Sequence, residues 1–190
     1  MTLLCSCSDY LDIVPDNVTT LDIVFNNRNT AERYLANCYH FVPDHGSVKR
    51  IPGMGAGHEC WFYTTNDSHF DNEVSFYIAR GLQNIDAPYA NYWDGEGGSN
   101  LPMFRAIREC NIFLDYVRDQ HKVNDLTDSE RKRWIAEVNV LKAYYHFFLF
   151  EHYGPIPIVD KALPVSTDPE GVKVTRMPVD QIVDYMVKLI

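Results

Sequence analysis

The strongest constraint on the fold is one long helical segment that begins at Thr127 and ends before Gly154 and Pro155. Glu130 follows Thr127 by three residues, and Ser/Thr-x-x-Glu is the capping box that starts a helix. Gly and Pro after the last apolar residue end a helix sharply. The segment between these signals has about 27 residues, or roughly 40 Å of helix. A chain of 190 residues in which a single helix takes up about 27 of them is expected to be mostly helical.

Apolar side chains recur along this segment at the spacing of one helix face. The predicted buried face consists of Trp134, Val138, Leu141, Tyr145, Phe148 and His152. From 143 to 150 the sequence AYYHFFLF is apolar nearly all round, which predicts that this half of the helix is buried on every side.

Three further helices are predicted from the same periodicity. The first is expected to start at a cap formed by Asn29 and Glu32 and to end before Pro43, after an extended entry segment at 8–25. The second follows Pro102, and the last begins near Pro178. Their apolar faces comprise Ala31, Tyr34, Leu35, Cys38, Phe41 and Val42; Met103, Ile107, Cys110, Leu114 and Val117; and Ile182, Tyr185, Met186 and Leu189. The last pattern is cut at Ile190, which predicts a longer protein built of helix pairs.

The amino-acid composition argues against some classes of function. The formal net charge of −9 argues against a general nucleic-acid binder, because phosphate neutralisation needs clustered Lys and Arg. Apolar residues make up 46% of the chain, enough for a core, yet no run is long enough for a membrane-spanning helix. Most of the glycines and many aromatic residues fall between 43 and 102. We therefore predict a long irregular insertion there, and such loops are usually functional when they are ordered.

The first residues have the pattern of a bacterial lipoprotein processing site. Leu3 and Leu4 precede Cys5 and Ser6, two small residues before Cys7, whose thiol would accept the lipid. We interpret residues 1–7 as the remnant of a signal with Cys7 as the lipid anchor. The alternative is an N-terminal segment with two incidental thiols.

Enzymatic and metal signatures are weak in this chain. His58 and Glu59 lack the second His of a zinc helix, and His146 and His152 are spaced wrongly for helical metal ligands. No pair of acidic residues stands out as the two carboxylates of a glycosidase, and no acidic stretch has the spacing of a calcium loop. We therefore predict no catalytic residue, no metal and no cofactor.

Sugar binding has a physical signature of its own, because sugar rings stack on aromatic faces while their hydroxyl groups bond to amides and carboxylates. The stretch 59–67 (ECWFYTTND) offers both kinds of group. The candidate ligand-binding residues are Trp61, Tyr63, Asn66 and Asp67. The alternative is that Trp61 and Tyr63 pack this loop onto the helices, as we expect Trp93 to pack into the core.

Several of these pieces occur together in one known family. They are the cysteine followed by SDYLD at 8–12, Tyr92 and Trp93, Ile107 and Asn111, Ala136 and Glu137, AYY at 143–145 with Phe147, and YGPIP at 153–157. The chain resembles the N-terminal portion of SusD/RagB outer-membrane nutrient-binding lipoproteins. It departs from the family pattern at Lys142, where Arg is usual, and at His58, where starch-binding members have Asp.

The resemblance implies a fold of tetratricopeptide-like helix pairs in a SusD-like N-terminal domain at 8–190, incomplete at its C-terminus. It also implies non-catalytic binding of oligosaccharides at the cell surface, with outer-membrane attachment through Cys7. The implied partner is a SusC-like TonB-dependent transporter. Two other functions stay open: a helical-repeat interaction scaffold in the periplasm, and a carbohydrate-active hydrolase.

Overall fold

The structure, a computed structural model, describes residues 20–46, 51–57, 74–163 and 173–190. These ranges are helical and contain no β-strand. Their helices, in chain order, are α1 Leu21–Val24, α2 Arg28–Tyr39, α3 Pro52–Gly55, α4 Val74–Ala79, α5 Met103–Arg118, α6 Asp128–Tyr153 and α7 Val179–Leu189. The predicted mostly helical fold is confirmed. The tetratricopeptide-like geometry of the helix pairs stays a prediction.

Helices α5 and α6 form an antiparallel pair at the centre of the core. Phe113 of α5 contacts Trp134 of α6 with ring centroids 6.2 Å apart, and the end of α5 meets the start of α6. The predicted faces are confirmed, because each of the following is buried: Met103, Ile107, Cys110, Leu114, Val117, Trp134, Val138, Leu141, Tyr145 and Phe148.

The C-terminal end of α5 is closed by Arg131, a residue that the sequence analysis did not single out. Its guanidinium donates to the carbonyl oxygen of Val117 at 2.6 Å and to those of Lys122 and Val123 at 3.0 Å. The last carbonyls of a helix have no partner within the helix, so a buried side-chain donor satisfies them. Arg131 thereby fixes the turn between α5 and α6.

The predicted capping box of α6 is present. The Thr127 hydroxyl accepts from the backbone N–H of Glu130, and the Glu130 carboxylate accepts from the N–H of Thr127. The helix ends at Gly154, whose φ of 68° lies in the left-handed region that glycine tolerates best. Two expectations were wrong: His152 is exposed, and Phe147 has 47% of its surface exposed, so 143–150 is not buried on every side.

Helix α2 runs parallel to α6, but its predicted cap was wrong. Asn27, not Asn29, is the N-cap, and its side chain accepts from the N–H of Thr30 at 3.1 Å. The start is set by tertiary contacts, since the backbone N–H of Arg28 donates to Asp125 and its side chain to Glu130. The far end of α2 is fixed where the Tyr145 hydroxyl donates to the carbonyl of its predicted core residue Cys38.

The region between 43 and 102 and the entry segment contain more helix than the sequence predicted. Within 43–102 the described residues include α3 and α4 as well as turns, and α1 lies within the segment expected to be extended. Residues 8–19 lie outside the described ranges. Of the last two apolar positions predicted for α2, Phe41 is buried, whereas Val42 is 42% exposed.

Helix α7 packs against α6 through the predicted face. Ile182 is fully buried, and Tyr185, Met186 and Leu189 are partly buried. Beside this face, Val183 and Val187 are exposed. Between α6 and α7 lies an open groove of about 330 Å³ lined by Val140, Ala143, Tyr144, Phe147, Val183, Met186, Val187 and Ile190.

Candidate functional site

The predicted site residues fall outside the described part of the chain. They are the anchor Cys7 and the ligand-binding candidates Trp61, Tyr63, Asn66 and Asp67. Each therefore stays a prediction. What the structure does describe is the surface from which the segment 58–73 starts and to which it returns.

The two helices that flank the segment 58–73 contact each other. Helix α3 precedes the segment and α4 follows it. Val74, the first residue of α4, packs against the glycine-rich turn at 95–98 so closely that a Cβ on Gly98 would lie 2.5 Å from its Cγ2. Val74, which directly follows the segment 58–73 in the sequence, is thus fixed against this turn.

The aromatic loop before α5 is docked on the C-terminal end of α6. The backbone N–H of Tyr92 donates to the hydroxyl of Tyr153 at 2.8 Å, and the N–H of Met103 donates to the carbonyl of Tyr92 at 2.9 Å. The buried Tyr92 ring meets Phe148 edge-on, with centroids 4.9 Å apart. These contacts make the loop a fixed part of the fold rather than a free appendage.

Trp93 packs as the sequence led us to expect. Its partly buried ring lies 4.6 Å from Phe104 and 5.5 Å from Tyr153, centroid to centroid. The Arg176 guanidinium lies 5.1 Å from the Trp93 ring centroid and also donates to the carbonyl of Pro155. An open cavity of about 340 Å³ adjoins Trp93 and Phe104, but the indole itself is engaged by its neighbours.

A tightly built turn follows α4. The backbone N–H of Leu82 donates to the carbonyl of Tyr77, and Gly81 has a φ of 71°, which together close the helix with a left-handed cap. The Gln83 side chain then clamps the backbone of Tyr89: its amide N–H donates to the Tyr89 carbonyl at 2.8 Å, and its oxygen accepts from the Tyr89 N–H at 2.6 Å.

The clamp brings Tyr89 onto Tyr77. The two rings are stacked, with centroids 4.7 Å apart and planes inclined by 16°. Both are partly exposed, and Tyr89 is also packed against the core. This pair is not marked in the sequence, since the only local signal is Gly81, which indicates the end of α4 but not the return of the chain to Tyr77.

A polar cluster joins α6, α7 and the segment after α6. The buried Lys142 ammonium donates to the carbonyl of Asp160 at 3.0 Å and to its carboxylate at 2.8 Å, and the Tyr185 hydroxyl donates to the same carboxylate at 2.9 Å. The bond from Lys142 holds the pKa of Asp160 below its ordinary value. These groups are all engaged with one another, so the cluster acts as a structural tie.

His146 lies one turn after Lys142 and is fully buried. Its Nδ1 is 2.7 Å from the carbonyl oxygen of Lys142, so Nδ1 carries the proton. Nε2 then has no hydrogen-bond partner among the described residues, and neither does the buried Oδ1 of Asn111. Burial lowers the pKa of His146 to about 4, which makes the ring neutral at neutral pH.

The described residues form neither a metal centre nor a membrane-spanning helix. No group of three or more His, Cys, Asp or Glu side chains there is arranged to hold a metal ion. No helix there has the length and apolar character needed to cross a membrane. The groove between α6 and α7 is lined by aliphatic and aromatic side chains. It is thus poorly suited to a ligand covered with hydroxyl groups.

Comparison with known proteins identifies the family. The model of the SusD-like family described as starch-binding and associating with the outer membrane matches residues 9–189. The chain therefore belongs to the SusD-like family, as the motifs implied.

Among solved structures, the fold is similar to that of a SusD-like protein from Bacteroides fragilis NCTC 9343, with a TM-score of 0.58 and 16% sequence identity. The superposition covers 88% of this chain and 29% of that protein, so this chain spans less than a third of the relative's length. At that identity the similarity concerns the fold alone. No curated protein sequence matches the chain.

Proposed function

We propose that the protein binds oligosaccharides at the surface of the outer membrane without cleaving them. The observation that carries this proposal is the match of a starch-binding, outer-membrane-associated family model to nearly the whole chain, residues 9–189. The stretch with Trp61, Tyr63, Asn66 and Asp67 is proposed to supply the contacts to the sugar.

Binding is tested with the full chain by isothermal titration calorimetry against a panel of soluble polysaccharides and oligosaccharides, starch among them. We expect at least one glycan to bind, with no shorter product released on prolonged incubation. A full chain that binds no glycan of the panel contradicts the proposal. Shorter products at a rate above that of a heat-denatured sample would favour a carbohydrate-active hydrolase instead.

We further propose that Cys7 is acylated and tethers the protein to the outer membrane. Two or three acyl chains anchor a protein firmly where one does not, because each buried CH₂ contributes about 0.8 kcal/mol. Metabolic labelling with a clickable fatty acid tests this, and Cys5 provides a matched control two residues away. Cys7→Ala is expected to lose the label and Cys5→Ala to keep it; a Cys7→Ala chain that is still labelled and still sediments with membranes rules the anchor out.

Delivery of the bound glycan to a SusC-like TonB-dependent transporter is the last part of the proposal. It rests on the family alone, so its test must involve the partner directly. The full chain carrying an affinity tag is expected to co-purify from detergent-solubilised outer membranes with a TonB-dependent barrel protein, identified by mass spectrometry. Recovery of the tagged chain with no barrel protein would overturn the transporter partnership while leaving glycan binding intact.

A further inference from the structure

We infer that the groove between α6 and α7 is a dimerisation surface, which receives the exposed side of α7 from a second copy of this chain. The groove is open, has a volume of about 330 Å³ and is lined by aliphatic and aromatic side chains. Apolar surface of this kind is stabilised when a second apolar surface removes it from water. The inference concerns how the chain associates and does not depend on its binding a sugar.

The groove consists of one apolar stripe on each of the two helices. On α6 the stripe runs from Val140 to Phe147 and on α7 from Val183 to Ile190, and in both the lining residues recur at i, i+3, i+4 and i+7. That spacing gives a helix one apolar face. The stripe on α7 is the more open of the two, since Val187 is 68% and Ile190 82% exposed. Two open stripes on adjoining helices leave room for the side chains of a further helix between them.

Helix α7 also has the ridge that such a groove receives. Val179, Val183 and Val187 lie four residues apart and are exposed, so their side chains form one row along the helix. Buried Ile182 lies on the neighbouring face, which packs against α6. Rows of side chains four residues apart are the ridges that fit into the grooves of a neighbouring helix. Because ridge and groove belong to one surface of the chain, two copies related by a twofold axis can each place their ridge in the other's groove.

The charges on α7 favour a second copy that runs in the opposite direction. Asp180 and Asp184 lie near the start of the helix and Lys188 near its end, and all three are exposed. They are four residues apart and form a second row beside the valines. In an antiparallel pair the same flank of each helix faces the other with its ends exchanged. Lys188 of one copy then lies toward Asp180 and Asp184 of the other, twice in the dimer, and charges beside an apolar seam set the orientation of paired helices.

Other occupants match this surface less well. A glycan would bring hydroxyl groups into a groove whose lining offers them no polar partner. A helix that lies on a lipid surface is rich in Lys and Arg on its polar face, whereas α7 has two Asp and one Lys. A second copy supplies both the apolar ridge and the complementary charges.

The test measures the mass of the full chain in solution by sedimentation velocity over about 1–300 µM. The unmodified chain is expected to shift from one copy to two as the concentration rises. Val187→Asp puts a charge into the seam and is expected to weaken dimerisation about tenfold or more, because the carboxylate would be buried without a partner. The matched control is Ile85→Asp, since Ile85 is 93% exposed outside the groove and its replacement is expected to leave dimerisation unchanged. Circular dichroism verifies that each variant is folded.

Charge reversal tests the antiparallel orientation. Lys188→Glu is expected to weaken dimerisation about threefold or more, because it brings three acidic residues together on each flank. Adding Asp180→Lys and Asp184→Lys to Lys188→Glu is expected to restore the dimer, since every pair is re-formed with its signs exchanged. Lys132→Glu makes the same change in net charge at an exposed position on α6 outside the groove and is the control. A loss that the triple variant does not restore overturns the antiparallel arrangement.

The remaining outcomes decide whether the groove is the interface. A full chain that stays a single copy at the highest concentration overturns the inference. If that single copy also binds the apolar dye ANS and Val187→Asp reduces the dye signal, the groove has a different occupant. A dimer that Val187→Asp leaves unchanged shows that the two copies meet through another surface, which also overturns it. If Val187→Asp is unfolded, Val187→Ser replaces it and is expected to weaken dimerisation severalfold.

Discussion

The ammonium group of Lys142, with 2% of its side chain exposed, lies 2.8 Å from the carboxylate of Asp160, whose side chain is 64% exposed. The pair is therefore asymmetric: one charge is buried in the core and its partner stands at the surface. Removing Asp160 leaves the buried Lys142 charge with fewer hydrogen-bond partners. Removing Lys142 leaves a carboxylate that water can solvate.

We predict that Asp160→Ala lowers the free energy of unfolding by about 1–3 kcal/mol, the usual worth of a hydrogen bond to a charged group. The Tyr185 hydroxyl loses its acceptor as well, so α7 is held less firmly. Lys142→Met, which fills the same space without a charge, is expected to cost less than about 1 kcal/mol. Urea unfolding followed by circular dichroism measures both, and a larger loss for Lys142→Met than for Asp160→Ala would refute the asymmetry.

Buried His146 predicts a loss of stability in mild acid. Its pKa is lowered by burial from 6.5 to about 4 in the folded chain, so the unfolded chain binds a proton more readily. The contribution of the neutral ring is fully present above about pH 6.5 and is lost as the pH falls from 6.5 toward 4. The loss amounts to about 3 kcal/mol over that window.

The measurement is urea unfolding at half-unit pH steps between 4 and 7. His146→Phe removes the titrating group and is expected to flatten the pH dependence in this window. His152→Gln, at an exposed histidine on the same helix, serves as the control and is expected to keep it. Equal slopes for the unmodified chain and His146→Phe would show that another group is responsible.

Gly97 is exposed, yet we predict that replacing it destabilises the fold more than is usual for an exposed residue. A Cβ there would overlap the carbonyl oxygen of Pro88, and the φ of 61° is unfavourable for any other residue. We expect Gly97→Ala to lower the free energy of unfolding by about 3 kcal/mol or more, the sum of backbone strain and a clash that the main chain must relieve. Thermal melts of the purified variant measure this.

Gly81 is the matched control for that substitution. Its φ is 71°, but a Cβ there would meet nothing within 4 Å. Gly81→Ala therefore incurs the backbone strain alone, about 1–2 kcal/mol. Equal losses for the two variants would mean that the close approach of residues 97 and 88 is relieved at no cost.

The two core cysteines are predicted to be unreactive in the folded chain. Cys38 on α2 and Cys110 on α5 are fully buried free thiols. A hydrogen bond between the protonated Cys38 thiol and Cys110, together with burial, raises the pKa of the Cys38 thiol far above its ordinary value. Because the thiolate is the reactive form, iodoacetamide at pH 8 is expected to leave both residues unlabelled until the chain is unfolded. Peptide-level mass spectrometry detects the label, and modification of Cys38 as fast as in urea would contradict the prediction.

The helices with strong local signals could be predicted from the sequence. The capping box at Thr127 and the apolar faces of α5 and α7 were correct because each depends on residues three or four apart. The start of α2 was misplaced by two residues, since asparagines stand at 26, 27 and 29 and any of them can cap. The choice among them is made by Asp125 and Glu130, which are about a hundred positions away and bond Arg28.

The contact between Tyr77 and Tyr89 was less predictable for a similar reason. Tyr77 and Tyr89 meet only because Gln83 folds the intervening residues back, and no periodic pattern marks that return. Phe147 was expected to be buried because its neighbours in the sequence are apolar, yet the fold places it in the groove beside α7. Likewise, the role of Arg131 depends on carbonyls at the end of another helix.

Helix α6, with its 26 residues, is about 39 Å long and has different neighbours at its two ends. Near its start the entering chain is fixed, where Arg28 bonds Glu130. At its other end the aromatic loop is fixed, where Tyr92 bonds Tyr153. The helix thus acts as a rigid spacer between the point where the chain enters the fold and the aromatic loop before α5. Each added helical turn would carry that loop about 5.4 Å farther from the entry point.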